Sequence, residues 1–188
     1  MHQLTTYVAL LRGINVGGKN IISMAKLKTQ FEALGYHQVR TYINSGNVIF
    51  QATTDARHLE AAIESALDHT LELPVRVVVR SLAEMEQLLH DLPPDWDTRP
   101  DRKYDIIFLR HTIDSPDILS HFTLKPDIED LIYLPGTLLW WGDRQAFSRA
   151  GFVRVMGTPV YADMTIRGTN TVRKLTALMQ AAGEAASS

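Results

Sequence analysis

The sequence contains no cysteine among its 188 residues. Disulfide bonds, thiolate nucleophiles and cysteine-ligated metals are therefore excluded. Long apolar runs are also missing, since no stretch approaches the roughly 18–20 residues that a membrane span requires. The polar start of the chain does not resemble a secretory signal peptide. These absences predict a cytoplasmic protein without a membrane partner.

An excess of basic charge is absent as well, because 19 lysines and arginines stand against 21 aspartates and glutamates, a formal net charge of -2. A protein that binds nucleic acid generally would usually be basic. We therefore expect no general nucleic-acid binding, although a local basic pocket is compatible with this balance. The 7 histidines have no metal-ligand spacing, so we expect no metal site and no cofactor. The sequence makes no prediction about a homo-oligomer.

Hydrophobic residues make up 45% of the chain, which is enough for a globular core. In the first half, their spacing predicts strands at 7–11, 39–43, 48–50 and 75–79, and helices at 24–34, 59–71 and 82–89. Ser23 is the expected N-cap of the first helix, and Gly35 ends it. The predicted order is therefore β-α-β-β-α-β followed by one further helix.

A similar order returns after a stretch of prolines and charged residues that has no periodicity. Strands are predicted at 104–109, 131–134, 137–141 and 160–166, with a short helix ending near residue 121 and a last helix at about 170–181. We predict an α+β fold of two ferredoxin-like β-α-β-β-α-β units, each with an appended helix. The predicted bounds are 1–91 for the first unit, 92–103 for a linker, 104–182 for the second unit and 183–188 for a frayed tail.

The most distinctive stretch is the loop at residues 12–20, called here the opening loop, which directly follows the first strand. Its glycines let the backbone adopt positive φ and approach a ligand closely. The helix that follows offers unpaired N–H groups and the positive end of its dipole. This combination is typical of an anion pocket, and the alternative is a glycine-rich connection with a solvated lysine. The candidate ligand-binding residues are Arg12, Asn15, Gly17, Gly18, Lys19 and Asn20.

Residues 13–20 nearly match the G-x-x-x-x-G-K-[ST] motif of nucleoside triphosphatases. We reject this interpretation because Asn20 replaces the hydroxyl residue that binds Mg²⁺, and because the helix is predicted to begin at Ser23. Hairpins in both halves also contradict a parallel core. What remains is a set of backbone N–H groups and Lys19, which suit an oxyanion such as phosphate or carboxylate.

The turn at residues 44–47 contributes the other half of this candidate site. In a ferredoxin-like sheet, the loop after the first strand and the turn between the second and third strands lie at one edge. We therefore expect Asn44, Ser45 and Asn47 to face the opening loop. Taken alone, the Asn-Ser-Gly-Asn sequence would indicate only a tight turn.

The start of the last predicted helix is a second candidate anion site. Helix N-termini favour anions, and Arg167 and Lys174 flank this one, with Asn170 and Thr171 between them. The alternative interpretation is a capped helix that follows a turn.

Residues 7–20 and 41–48 resemble the opening motif of a bacterial family of unknown function, domain-of-unknown-function family 1697 (DUF1697), and the resemblance covers nearly the whole chain. The family usually ends in a T-x-R-N-W-N-T-V-x-K-L motif, but Gly168 and Thr169 stand where Asn and Trp are usual. The resemblance implies a fold, but it implies no particular activity because the family has none established. The positions that match the closing motif are Thr165, Arg167, Asn170, Thr171, Val172, Lys174 and Leu175.

Among three functions, we favour the binding of a small anionic ligand, phosphate- or carboxylate-bearing, at the opening loop. One alternative is an enzyme that acts on such a ligand. This alternative lacks a nucleophile with a partner base, since no histidine accompanies Ser45 in sequence, and no catalytic residue is predicted. The other is an interaction or nucleic-acid-contacting protein that uses the same edge, against which the acidic balance speaks.

Overall fold

The computed structural model describes residues 4–18 and 20–186. In the first half of the chain, four strands and three helices follow one another in the predicted order. They are β1 (Thr5–Leu11), α1 (Met24–Ala33), β2 (His37–Tyr42), β3 (Asn47–Ala52), α2 (Ala56–Leu71), β4 (Val77–Ser81) and α3 (Leu82–His90).

The second half has the same succession of strands, but short 3-10 segments replace most of the helices. Its elements are β5 (Arg102–Leu109), a 3-10 turn (Pro116–His121), β6 (Glu129–Leu134), β7 (Thr137–Asp143), two 3-10 turns (Phe147–Arg149 and Gly151–Val155), α4 (Pro159–Ala162), β8 (Met164–Gly168) and α5 (Thr169–Ala186).

Each half builds a four-stranded antiparallel sheet, with the strand order β2-β3-β1-β4 in the first and β6-β7-β5-β8 in the second. Within each sheet, the first strand in sequence lies between the third and the fourth. This is the ferredoxin-like order, so the predicted α+β fold of two such units is confirmed.

Local sequence explains the first two helices. The Ser23 hydroxyl caps α1 by accepting a hydrogen bond from the Lys26 amide at 3.2 Å. Gly35, with φ of 82°, follows the helix and turns the chain toward β2. The Asp55 carboxylate caps α2 by accepting from the amides of Arg57 and His58. Helical spacing then buries one face of each helix against the sheet, with Leu27, Phe31, Leu59, Ile63 and Leu67 in one apolar cluster.

One predicted strand of the second half is partly wrong. The stretch 160–166 was expected to be extended throughout, but residues Pro159–Ala162 form α4 and the strand runs instead over Met164–Gly168. Proline is favoured at the first position of a helix, where its missing N–H has no cost. Pro159 therefore starts a helical turn that delays the strand.

The chain separates into two compact units, one reaching Gln87 and also including the chain from Arg173, the other comprising Leu88–Val172. This division differs from the predicted bounds in three ways. The stretch 92–103 is an ordered part of the second unit, because Trp96 is buried and its indole donates to the Thr169 hydroxyl at 3.0 Å. β5 begins inside that stretch, at Arg102. The chain from Arg173 groups with the first unit, not the second.

Hydrogen bonds explain why the end of α5 belongs to the first unit. The Gln51 side chain on β3 donates to the Ala182 carbonyl at 3.3 Å, and Gln180 donates to Glu86 of α3 at 2.8 Å. Residues up to Ala186 are helical, so most of the stretch predicted as a frayed tail continues α5, while 187–188 lie outside the described residues.

Candidate functional site

Backbone hydrogen bonds to two other segments hold the start of the opening loop, where it follows β1. The Leu11 amide donates to the Gly46 carbonyl at 2.8 Å, and the Arg12 amide donates to the Arg76 carbonyl at 2.9 Å. The loop after the first strand and the 44–47 turn therefore meet at one edge of the sheet, as the topology predicted.

Asn15 connects the two segments through its side chain. Its carboxamide nitrogen donates to the Ile22 carbonyl at 3.0 Å and to the Asn44 carbonyl at 2.9 Å, and its oxygen accepts from the Ile22 amide at 2.9 Å. Asn15 also has φ of 54°, a left-handed conformation that asparagine tolerates better than most residues. The structure thus uses Asn15 to close the loop on itself and to attach it to the turn.

Other predicted ligand-binding residues also hold the backbone. Asn20, with φ of 50°, donates from its side chain to the Gly13 carbonyl at 3.1 Å. Asn47 is fully buried, and its side chain donates to the Tyr42 carbonyl at 3.1 Å and to the Ser45 hydroxyl at 3.0 Å. These two side chains are therefore parts of the scaffold at this edge.

The glycine of the turn has a packing role as well. A Cβ added to Gly46 would lie 2.7 Å from the Cδ1 atom of Ile14, whose side chain is buried. Gly46 therefore allows the apolar side chain of the opening loop to pack against the turn. Ile14 was not among the predicted site residues, and its apolar character inside a polar loop was the available signal.

The groups that remain open to solvent at this edge are fewer than predicted. Gly17 and Gly18 are exposed with φ of 59° and 73°, and within residues 4–18 and 20–186 their amides donate to no acceptor. The Asn44 side chain is exposed, and Arg12 and Ser45 are half-buried. Lys19 lies outside the described residues.

The second predicted site is only partly assembled. Arg167 lies within β8 and is buried, and it donates to the Thr165 hydroxyl at 3.0 Å and the Ile166 carbonyl at 2.8 Å. Burial lowers the pKa of Arg167 to about 10. Lys174 is exposed on α5. Asn170 and Thr171, by contrast, line a cavity of about 290 Å³ in the second unit.

Three arginines that the sequence analysis missed, Arg99, Arg102 and Arg144, line this same cavity together with residues 168–171. Two of them lie in the stretch predicted as a linker, where charge without periodicity indicated a solvated connection. The third directly follows β7. The signal in sequence was the density of arginine in 99–102, but nothing in sequence places Arg144 beside it.

Among residues 4–18 and 20–186, no group of three or more histidine, aspartate or glutamate side chains could hold a metal ion. In that same described part, no helix is both long and apolar enough to cross a membrane.

Comparison with known proteins identifies relatives but no activity. A family model described as a protein of unknown function (DUF1697) matches residues 4–140. The chain is 29% identical to a conserved bacterial protein from Streptococcus pneumoniae whose structure superposes with a TM-score of 0.80, covering 94% of this chain and 99% of that chain. No curated protein matches. The matched residues include the opening loop and the 44–47 turn, whereas residues 165–175 lie beyond the family match.

Proposed function

The chain belongs to the DUF1697 family of proteins of unknown function, and from its geometry we propose that it binds a small anionic ligand, phosphate- or carboxylate-bearing, at the opening loop. The ligand would lie between the amides of Gly17 and Gly18 and the Asn44 side chain. Arg12 and Lys19 would supply positive charge.

The observation that carries this proposal is a difference in charge between equivalent positions of the two units. The Arg110 amide donates to the Asp163 carbonyl at 3.0 Å, just as the Arg12 amide donates to the Arg76 carbonyl. In the second unit, the Asp163 carboxylate also forms an ion pair with the Arg110 guanidinium at 3.1 Å. In the first unit, the corresponding residue is Arg76, so a cation stands in the place of Asp163, and the Arg76 guanidinium itself pairs with the Glu64 carboxylate at 3.4 Å.

The loop itself supports the same ligand chemistry. The Asn15 carboxamide attaches the loop to the 44–47 turn, so the exposed amides of Gly17 and Gly18 belong to a braced segment. Backbone N–H groups held in this way cost less to order around a bound oxyanion than those of a loose loop. Arg12 can complement them because a guanidinium forms strong charge-assisted hydrogen bonds with phosphate and carboxylate.

The proposal is tested by calorimetric titration of the full chain with inorganic phosphate and with citrate. Lys19→Ala and Asn44→Ala should each weaken binding, Lys19→Ala by about tenfold or more, since a hydrogen bond to a charged group contributes roughly 1.5–3 kcal/mol. Both should leave the melting temperature nearly unchanged, because Asn44 holds the loop through its carbonyl and not its side chain.

Arg57→Ala is a matched control, since it removes an exposed cation at the start of α2. Its affinity for both anions should equal that of the unmodified protein. If Lys19→Ala and Asn44→Ala also leave both affinities unchanged, the opening loop does not bind an anion, and its glycines serve only to turn the chain.

A further inference from the structure

The arginine-lined cavity of the second unit has a chemical character of its own. Its walls come from the 97–104 stretch, from Arg144 after β7 and from the first residues of α5. Three arginines and a single aspartate, Asp97, line it. A concave surface with this excess of guanidinium groups favours an anion over a neutral or cationic ligand.

Arg102 is the central feature of the cavity. Its guanidinium carbon lies 3.4 Å from the centre of the Trp141 ring, so a cation-π contact fixes the plane of the group. The side chain is half-buried, yet its guanidinium donates a hydrogen bond to no other residue that the structure describes. Arg102 is therefore oriented by stacking while its planar set of donors stays available.

The other two arginines of the cavity differ in how many hydrogen-bond donors they leave for a ligand. Arg144 donates from Nε to the Pro100 carbonyl at 3.1 Å, and its terminal nitrogens have no acceptor among the described residues. Arg99 instead forms a two-point contact with Asp101, at 3.2 Å and 2.7 Å. Arg102 and Arg144 thus provide the available donors, and Arg99 adds charge that Asp101 partly balances.

The volume of the cavity and the start of α5 that lines it favour a small ligand with a phosphate group. A volume of about 290 Å³ lies at the lower end of the range for small-molecule sites. Asn170 and Thr171 belong to the first turn of α5, and the positive end of that helix adds to the field of the arginines. Paired guanidinium forks match the oxygens of a phosphate group, which can accept several hydrogen bonds at once.

We propose that this cavity is a second anion site, separate from the opening loop, which takes a phosphate group, either free or on a small organic molecule. Arg102 and Arg144 bind the phosphate oxygens. Tyr104, which also lines the cavity, contacts the organic part when there is one. The site depends on residues of the second unit alone, so it holds whether or not the opening loop binds an anion.

Tryptophan fluorescence should report ligand binding in this cavity and not at the opening loop. All 3 tryptophans of the chain (Trp96, Trp140 and Trp141) lie in the second unit. Trp141 stacks on Arg102, and Trp96 contacts Tyr104 with ring centroids 4.9 Å apart. Titration of the full chain with inorganic phosphate at constant ionic strength should therefore give a saturable change in tryptophan emission. A tighter response to glycerol phosphate would assign an organic phosphate, and an equal or weaker one would assign the free ion.

Arg144→Ala and Arg102→Ala should each weaken phosphate binding about tenfold or more, and Arg102→Lys should fall between, because it keeps the charge but loses the planar fork. Arg144 is exposed, so its replacement tests the site without threatening the fold. The control is Arg154→Ala, which removes an exposed arginine of the same unit outside the cavity and should leave affinity unchanged.

The titration midpoint is the quantity to compare, because loss of the Arg102 stack alters the starting emission. Calorimetry of the same variants provides a second measure. The proposal is overturned if the unmodified protein shows no saturable response to phosphate. It is also overturned if Arg144→Ala binds as tightly as the unmodified protein, or if Arg154→Ala weakens binding as much as Arg144→Ala does.

Discussion

The two units share a sheet and differ in what covers it. In both, the residue that ends the first strand donates its amide to the glycine of the following hairpin: Leu11 to Gly46 at 2.8 Å and Leu109 to Gly136 at 2.9 Å. In the first unit, α1 and α2 cover one face of the sheet, and local side chains cap both helices. In the second unit, 3-10 segments do so, and no periodic pattern marks them.

A buried carboxylate fixes the irregular segments of the second unit, which lack the apolar periodicity of a helix. Glu129 is fully buried at the start of β6 and accepts hydrogen bonds from the amides of Lys125, Gly151 and Phe152 and from the Trp140 indole. One side chain thereby holds two segments of irregular backbone, at Lys125 and at Gly151–Phe152, beside strand β7. The same strand order can therefore be covered by locally encoded helices or by irregular chain fixed by tertiary contacts.

The largest effect should come from Gly151→Ala. A Cβ at this position would overlap the Thr123 carbonyl and lie 2.9 Å from Glu129 Oε1, so backbone must move. We expect the free energy of unfolding of the second unit to fall by about 3 kcal/mol or more. Tryptophan emission measures this unfolding.

Gly168→Ala is the control, because a Cβ there would meet nothing within 4 Å. Its effect should stay within about 0.5 kcal/mol. Equal stabilities for the two variants would show that the irregular segment is not closely packed.

Glu129→Gln should be the next most damaging change, at about 2–3 kcal/mol, because it weakens four hydrogen bonds to a buried charge. Burial by itself raises the pKa of Glu129, but the hydrogen bonds from Trp140 and the three amides outweigh it and leave the pKa below its usual range. The stabilisation is thus complete above the ordinary glutamate pKa and is lost as pH falls through the lowered value.

Acid titration of tryptophan emission checks this expectation. The second unit should lose stability at acidic pH, and Glu129→Gln should show a shallower pH dependence. Glu64→Gln is the matched change in the first unit, where the partly exposed carboxylate accepts from the Val77 amide at 2.8 Å. A pH profile that is the same with and without Glu129 would contradict the account.

A smaller effect is expected from breaking the opening loop. Asn15→Ala removes the side-chain hydrogen bonds and leaves alanine at positive φ, so the free energy of unfolding should fall by about 2 kcal/mol. Asn15→Gly removes the same hydrogen bonds without the backbone strain, so the free energy of unfolding should fall by about 1 kcal/mol. Thermal unfolding followed by circular dichroism measures both. Two variants of equal stability would mean that the left-handed conformation is not maintained.

The smallest effects concern the caps. Ser23→Ala should cost about 1 kcal/mol, because it removes a side-chain cap from a ten-residue helix. Ser115 caps a 3-10 turn of six residues in the second unit, and Ser115→Ala should cost only a few tenths of a kcal/mol. Chemical denaturation compares the two, and an equal loss would remove the distinction between a locally encoded helix and an irregular turn.

These elements explain how much the sequence could predict. Helical spacing, Ser23 and Gly35 are local signals, so the first unit was predicted with its elements in order. The role of Glu129 depends on donors 22 and 23 residues away, at Gly151 and Phe152, and no periodicity encodes such a contact. The 3-10 turn at Pro116–His121 was accordingly predicted only as a short helix, and no regular helix or strand was predicted over Phe147–Arg149 or Gly151–Val155.

The candidate site was predicted in position more accurately than in the roles of its residues. Topology correctly brought the opening loop and the 44–47 turn together. A local motif cannot show whether an asparagine faces a ligand or its own backbone, and Asn15, Asn20 and Asn47 face backbone. Arg167 looked available beside a helix start, but the strand β8 extends through it and buries it.

The most direct test of the opening-loop proposal is an NMR titration of the labelled full chain with inorganic phosphate. If the opening loop binds phosphate, the Gly17 and Gly18 amide resonances should shift saturably and follow one binding curve. That curve should move to about tenfold higher phosphate in Lys19→Ala and stay in place in Arg57→Ala. Glycine amides that do not shift, or that drift linearly without saturation, would contradict the account.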